Sequence, residues 1–431
     1  MNIKRYLVFS GILFFCLLFA PALNIRAASR LQECGDEIII VIDPGHGGDN
    51  EGTIENGFLE KEMTLKTAIS LVDELSKYDG VTVYLTRDDD TALSLADRAA
   101  FAASVHADFL FSIHYNASVS HRLYGSEVWI SAFAPYHAYG YQFGCVQLQT
   151  MQDMGLFLRG VKTKLNDRGS DYYGIIRECT ELEIPSAIIE HCHVDEPRES
   201  ILCDGDDELL AFGIADATAI AKYLGLKSET LQVDYSDYAL ADVAAGDLVY
   251  QTINAKTDPE ACSVSIVSAD LSAQTITLRI SGSDADDYLM YYDYSFDGGQ
   301  TFSDLCDWPG CDVFTGSCDP SFDVTLPVPE GCEPQIIVRA YNHFDACCES
   351  PLLSSGISYL SEEETVPEAE TAIAIEDDLL PDPAVSPSDD HAAKDAISIG
   401  AFRLSFRGLV ISWCIALGVV LLLLLCNLRR K

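Results

Sequence analysis

An unbroken run of β-branched residues, Ile38-Ile39-Ile40-Val41-Ile42, constrains the fold of this 431-residue chain more than any other feature. Such residues favour extended backbone, and a strand that is apolar on both faces must be covered on both sides. Apolar residues at helical spacing follow in residues 63–78, and strand and helix patterns then alternate as far as residue 226. We therefore predict that residues 37–226 form an α/β domain with a mainly parallel sheet flanked by helices.

The second half of the chain has a different pattern. Residues 260–359 contain short alternating stretches separated by turn residues such as Asp297-Gly298-Gly299, which predicts an all-β sandwich. Residues 291–299 and 338–342 give this part a loose resemblance to immunoglobulin and fibronectin domains. Residues 361–400 combine proline with many acidic residues and few large apolar ones, which predicts an extended linker.

Both ends of the chain are basic and apolar. Residues 1–28 carry Lys4 and Arg5 near their start, followed by an apolar run and then small residues. This order is typical of a secretory signal peptide. Residues 408–428 carry no charge and precede Arg429-Arg430-Lys431, which predicts a transmembrane helix with a cytoplasmic tail. The expected location is the cell membrane, with a single span and the folded part outside the cell.

The net charge of −40 argues against nucleic acid as a partner, because phosphate groups require basic surfaces. The acidic residues are concentrated in residues 227–402, which hold 34 of them and only 5 basic residues. We interpret this part as a solvated spacer between the membrane and the α/β domain.

Histidine and acidic residues stand where the predicted strands end. His46 lies in a glycine-rich turn after the first strand, His114 directly follows the strand predicted at residues 108–113, and Glu190 directly follows the strand predicted at residues 186–189. Sites in open α/β sheets form at these carboxyl ends. Two imidazoles and one carboxylate are the ligands of a catalytic zinc ion that keeps one position open for water. The spacing alone chooses neither Glu60 nor Glu62 as that carboxylate, and Glu190 is a candidate general base.

Five sequence pieces, in order, make residues 37–226 resemble the zinc-dependent N-acetylmuramoyl-L-alanine amidases of the amidase_3 family. The pieces are Ile42-Asp43-Pro44-Gly45-His46-Gly47-Gly48, Glu60-Lys61-Glu62-Met63-Thr64-Leu65, Leu85-Thr86-Arg87-Asp88 with Leu95 and Arg98, Ser112-Ile113-His114-Tyr115-Asn116-Ala117, and Pro185-Ser186-Ala187-Ile188-Ile189-Glu190.

The resemblance implies a mixed six-stranded sheet, the zinc ligands His46, Glu60 and His114, and Glu190 as the catalytic carboxylate. It implies peptidoglycan as the substrate, cut at the amide between N-acetylmuramic acid and the L-alanine of the stem peptide. The chain would then be a membrane-anchored cell-wall hydrolase. Two alternatives stay open: a zinc peptidase that acts on stem peptides, and a non-catalytic ectodomain that binds peptidoglycan.

Three further features leave alternatives open. Asn116 and Arg177 are candidate substrate-binding residues, and structural contacts are the alternative for both. His191-Cys192-His193 stands where the family has a small residue and then an aromatic one after its catalytic glutamate. These three residues either add metal ligands or are polar surface residues at the end of a strand.

Overall fold

The computed structural model describes residues 37–243 and 252–359, all of which belong to one compact unit of the chain. The predicted signal peptide (1–28), the acidic linker (361–400) and the transmembrane helix (408–428) lie outside the described residues. Within the described residues, no helix is long and apolar enough to cross a membrane.

The α/β domain, residues 37–243, alternates strands and helices as predicted. Its strands are β1 (Ile38–Pro44), β2 (Ile54–Glu55), β3 (Phe58–Leu59), β4 (Val81–Leu85), β5 (Phe109–Asn116), β6 (Ser126–Ile130), β7 (Leu158–Lys162), β8 (Ser186–His193), β9 (Lys227–Ser228) and β10 (Val233–Asp234). Its helices are α1 (Glu60–Leu75), α2 (Leu95–Ser104), α3 (Tyr136–Asp153), α4 (Gly174–Glu181), α5 (Pro197–Ser200) and α6 (Asp206–Leu224).

Six strands form one sheet in the order β4-β1-β5-β8-β6-β7. Neighbouring strands pair in parallel, except that β6 runs antiparallel to β8. The prediction of a mixed, mainly parallel six-stranded sheet is therefore confirmed. The carboxyl ends of β1, β5 and β8 meet at one edge, and β6 begins at that same edge because it runs the other way.

Helices cover both faces of the sheet. On one face, α1, α3 and α6 enclose a buried cluster that includes Leu71, Phe143 and Phe212. On the other face, α2 and α4 enclose a cluster that includes Ala99 and Ile176. This double cover explains why β1 is apolar along its whole length.

Residues 252–359, which we call the β-domain, form two antiparallel sheets. The strands are β11 (Ala261–Asp270), β12 (Thr275–Ser283), β13 (Leu289–Ser295), β14 (Cys306–Asp307), β15 (Ser321–Pro327), β16 (Gln335–Asn342), β17 (Cys347–Glu349) and β18 (Leu353–Ser354). One sheet has the order β11-β12-β15, and the other has the order β14-β13-β16-β17 with β18 also on β16. A shared cluster of buried residues, including Leu278 and Val338, joins the two sheets into a sandwich. The immunoglobulin or fibronectin resemblance stays a prediction.

The β-domain packs directly on the α/β domain. The Tyr291 ring of β13 lies 4.9 Å from the Tyr124 ring and 5.2 Å from the Phe157 ring, measured between centroids. Beyond the end of β7, the Ile253 backbone N–H donates a hydrogen bond to the Thr163 carbonyl (3.0 Å). The two domains therefore share a buried aromatic contact and a backbone hydrogen bond.

Candidate active site

The loop after β1 is held by buried arginines. Asp43, the second-last residue of β1, accepts hydrogen bonds from Arg98 (2.6 Å) and Ser112 (2.8 Å). Arg87 and Arg98 also donate to backbone carbonyls of the loop that follows. The loop places His46 at a φ of 64°, a left-handed conformation that is uncommon for a residue with a side chain. These contacts fix the loop and with it the direction of the His46 ring.

Three side chains converge at the carboxyl edge of the sheet. Nε2 of His46 and Nδ1 of His114 each lie 3.1 Å from Oε1 of Glu60. His46 comes from the loop after β1, Glu60 from the first residue of α1, and His114 from β5. The three ligand atoms lie within 4.8 Å of one another, and no other group in residues 37–243 and 252–359 has metal-binding geometry.

The surroundings of this triad fit a metal ion. The other ring nitrogen of His46, Nδ1, lies 3.0 Å from Oδ1 of Asn50, so Nε2 is left available as a ligand. A Cβ on Gly52 would lie 2.6 Å from Oε2 of Glu60 and 2.7 Å from Cδ2 of His46, and one on Gly45 would overlap the His114 ring. The two glycines therefore leave space that the three candidate ligands fill. Two imidazoles and a carboxylate are a ligand set that suits zinc.

Glu60 is buried and ionised. Burial opposes the charged form, but hydrogen bonds from His114 and His46 outweigh it and hold the pKa of Glu60 well below its usual range. Burial also opposes the charged form of His46 and so lowers its pKa. The hydrogen bond and the charge of Glu60 outweigh burial, and the pKa of His46 lies above its ordinary value. The carboxylate is thus the negative centre of the triad.

Glu190 lies beside the triad on the next strand. It is paired with His114 in the β5–β8 register and with Glu127 in the antiparallel β6–β8 register. Its Oε2 atom is buried and has no hydrogen-bond partner among the described residues. Burial raises the pKa of Glu190 well above its ordinary value, and the charges of Glu60 and Glu127 raise it further. Glu190 therefore presents a carboxyl group with an unengaged oxygen at the site.

Glu127, the second residue of β6, is a buried acidic residue that the sequence pattern does not single out. Its Oε1 accepts hydrogen bonds from Asn116 (2.8 Å) and Trp129 (2.9 Å), and its Oε2 contacts Arg159 (2.8 Å) and Lys162 (2.9 Å). Burial raises the pKa of Glu127, but the charges of Lys162 and Arg159 outweigh it and leave the pKa well below its ordinary value. The acidic side chain directly before the apolar run Val128-Trp129-Ile130 was the available signal.

The two predicted substrate-binding residues make internal contacts. The Asn116 side chain donates to Glu127, and its Oδ1 accepts from the backbone N–H of Ala117 (2.9 Å). Arg177, on α4, donates to the backbone carbonyl of Asp171 (2.8 Å). Substrate binding by Asn116 and Arg177 stays a prediction.

All three residues of the His191-Cys192-His193 run are buried, so their interpretation as polar surface residues is wrong. His191 bridges two elements: Nδ1 lies 2.9 Å from the backbone carbonyl oxygen of His114, and Nε2 lies 2.9 Å from Oδ2 of Asp216 on α6. Neither histidine belongs to the one group with metal-binding geometry among the described residues. The run anchors β8 to its neighbours.

Residues 40–222 match the sequence profile of Amidase_3, described as N-acetylmuramoyl-L-alanine amidase. Residues 40–222 are therefore similar to the Amidase_3 family, and we call the α/β domain the Amidase_3 domain after this match. This chain is 37% identical over 145 residues to N-acetylmuramoyl-L-alanine amidase LytC of Bacillus subtilis, and the match covers 33% of this chain and 29% of LytC. It is 33% identical over 168 residues to the probable cell wall amidase LytH of Staphylococcus aureus, covering 38% of this chain and 50% of LytH. The chain thus spans half or less of each of these relatives.

A solved structure is also similar. The catalytic domain of CwlV, an N-acetylmuramoyl-L-alanine amidase from Bacillus (Paenibacillus) polymyxa, is 28% identical, with a TM-score of 0.38. The match covers 44% of this chain and 99% of the CwlV domain. The β-domain lies outside the residues that match the family profile.

Proposed function

We propose that this protein is a zinc-dependent N-acetylmuramoyl-L-alanine amidase. It would hydrolyse the amide between N-acetylmuramic acid and L-alanine in peptidoglycan. The observation that carries the proposal is the convergence of His46, Glu60 and His114 on one point, with Glu190 on the adjacent strand. The family match of residues 40–222 and the printed names of the relatives support the choice of bond.

The residues of the site divide the chemistry between them. His46, Glu60 and His114 would hold the metal, and a bound zinc ion supplies a Lewis acid that polarises a carbonyl and activates water. Glu190 accepts the proton of the attacking water on its unengaged Oε2 and returns it to the leaving amine. Asn50 and the arginine-held loop keep the His46 ring in place while this happens.

The test is digestion of purified peptidoglycan by the zinc-loaded protein. We expect new L-alanine amino termini to appear, and mass spectrometry of the released products to show intact stem peptides. Glu190→Gln, which keeps the shape but removes the proton acceptor, should lower kcat by about 100-fold or more. Wild-type rates in Glu190→Gln would contradict the assigned role.

The same digest separates the alternatives. Cuts within the stem peptide would identify a peptidase instead. Binding to peptidoglycan without any new amino terminus would identify a non-catalytic wall-binding protein.

We further propose that the protein is exported and anchored in the cell membrane, with the Amidase_3 domain on the cell-wall side. The support is the pattern of residues 1–28 and 408–428 in the sequence alone. Protease treatment of intact spheroplasts should remove the Amidase_3 domain and leave a short membrane-bound fragment. Full protection from the protease would contradict this location.

A further inference from the structure

The β-domain contributes residues to a network of buried charged groups that lies beside the candidate active site and is centred on Arg159. Arg159 of β7 is buried, and its guanidinium group has a partner on each side of the domain boundary. Nε donates to Oε2 of Glu127 (2.8 Å) within the Amidase_3 domain. Nη2 donates to Oδ2 of Asp345 (2.6 Å), and Nη1 donates to the Tyr291 hydroxyl (3.1 Å), both in the β-domain. Among the described residues, Arg159 therefore depends on the β-domain for two of its three side-chain hydrogen bonds.

The other end of this network lies against the residues proposed to act in hydrolysis. Glu127 is the direct cross-strand neighbour of Glu190, so the two side chains share one face of the sheet. Glu127 also holds the side chain of Asn116, two residues after the candidate ligand His114 on β5. A shift of Glu127 would therefore reach β8 through Glu190 and β5 through Asn116.

A second set of contacts joins the β-domain to the loops that leave these strands. After β5, Arg122 donates to Oδ2 of Asp293 (2.7 Å). After β8, Arg198 donates to the backbone carbonyl of Leu305 (3.0 Å). The β-domain thus contacts the chain downstream of both His114 and Glu190.

Burial makes these contacts consequential. Arg159 and Glu127 are only 2–3% exposed, so solvent and salt screen their interaction weakly. A buried charge that loses one partner retains its desolvation penalty, and the surrounding groups must move to compensate. If Asp345 or Tyr291 is removed, water cannot readily replace the lost partner of Arg159. Arg159 would then shift, and Glu127, which is bonded to it, would shift as well.

We propose that the β-domain is a positioning module for the hydrolytic site: Asp345 and Tyr291 hold Arg159, Arg159 holds Glu127, and Glu127 sets the position of Glu190. This inference rests on the proposed function of Glu190. It assigns the β-domain a part in catalysis itself, whereas a spacer would leave the cleavage of small soluble fragments unchanged.

The experiment uses the full-length protein in detergent and two variants of the boundary. Asp345 has a φ of 68°, and asparagine tolerates this left-handed backbone, so Asp345→Asn removes the charge without straining the turn. Tyr291→Phe removes only the hydroxyl and keeps the aromatic packing. Asp323→Asn is the matched control, because it breaks the exposed Arg279–Asp323 pair on the other sheet of the β-domain.

On a soluble muropeptide, we expect both boundary variants to lower kcat by about 10-fold to 100-fold with little change in KM. The control should keep wild-type kcat. In parallel, hydrogen exchange of the peptide that covers β6 should quicken in both variants and stay unchanged in the control. Wild-type kcat in Asp345→Asn and Tyr291→Phe would overturn the proposal.

Failure of the proposed function would be visible separately, as a wild-type protein that cleaves no wall substrate. In that case the exchange measurement decides, and unchanged β6 exchange in both variants overturns the positioning role. If Asp345→Asn does not fold, Tyr291→Phe gives the result alone.

Discussion

A single oxygen, Oε1 of Glu60, organises the candidate metal centre. Both imidazoles point to it at 3.1 Å, and it also accepts a hydrogen bond from the backbone N–H of Tyr115 (3.2 Å). Glu62 stands two residues away on the same helix but is exposed. The two glutamates, which the spacing alone does not separate, therefore differ in burial and in partners.

We expect Glu60→Gln to abolish tight zinc binding, because a neutral amide is a weak ligand and leaves the two histidines without a negative partner. Glu62→Gln is the matched control and should bind zinc like the wild type. Competition with a chromophoric chelator measures both affinities. A normal zinc affinity in Glu60→Gln would remove Glu60 from the ligand set.

A second residue-scale prediction concerns His191, whose two ring nitrogens face the His114 carbonyl and Asp216. Asparagine can replace the donor at Nδ1, whereas glutamine places its amide nearer the position of Nε2. We therefore expect His191→Gln to weaken zinc binding by about 10-fold and His191→Asn to weaken it less, because residues that orient ligands typically contribute this much. Equal affinities in the two variants would show that the contact to His114 is unimportant.

At the scale of elements, helices α1 and α6 cross closely on one face of the sheet. A Cβ on Gly213 of α6 would lie 2.6 Å from Cβ of Ser70 and 2.8 Å from the backbone nitrogen of Leu71, both on α1. The helices can approach this far only because Gly213 has no side chain.

Gly213→Ala should destabilise the protein by about 1–3 kcal/mol, because the added methyl group meets backbone that cannot rotate away. This cost exceeds the gain of about 1 kcal/mol that alanine normally brings to a helix. Urea unfolding measures the change. Ile214→Ala, at an exposed neighbouring position of α6, should stay within about 0.5 kcal/mol of the wild type. A stabilised Gly213→Ala protein would mean that the helices separate freely.

The sequence predicts those helices and strands in which apolar residues recur with a single clear period. Strand β4 has the predicted bounds, and α1 begins three residues before its predicted start. The segment from β6 to β7 carries no such signal. Helix α3 buries polar residues such as Gln142 and Gln147 together with its apolar ones, so no apolar stripe stands out. Strand β7 buries Arg159 and Lys162, whose partners are distant in the sequence.

The site shows the same division. His46 and His114 can be located from the sequence because each follows a clear strand at the carboxyl edge. Glu127 cannot be located in this way, because its importance comes from Arg159 and Lys162, which reach it only after β6 and β7 have paired. Long-range charge pairing leaves no periodic trace in a sequence.

On the scale of the whole molecule, the domain boundary contains a buried acid without a full set of partners. Oδ2 of Asp287 has no hydrogen bond among the described residues, and its other oxygen lies 3.7 Å from Nδ1 of His343. Burial raises the pKa of Asp287 to about 7, with Lys256 opposing and Asp284 reinforcing the shift. Asp287 therefore keeps its proton in the folded protein over a range in which the unfolded chain has lost it.

Because its folded pKa is raised, Asp287 should make the protein less stable as the pH rises from about 4 to 7. Asp287→Asn removes this dependence and should be more stable than the wild type by on the order of 2–4 kcal/mol at pH 8, and by less at pH 5. Urea unfolding of both proteins at the two pH values gives the difference. An equal difference at pH 5 and pH 8 would contradict the assignment.

The β-domain also contacts β7, the strand at one edge of the six-stranded sheet. Residue 253 continues the hydrogen bonding beyond the end of β7 at Thr163, and Gly160 lies directly against His343. An uncovered edge strand has unpaired backbone N–H and C=O groups, which can pair with a strand of another molecule. A fragment that ends at residue 243 would therefore expose the backbone of β7 and should self-associate. A related protein without this β-domain would need another segment to cover the same strand.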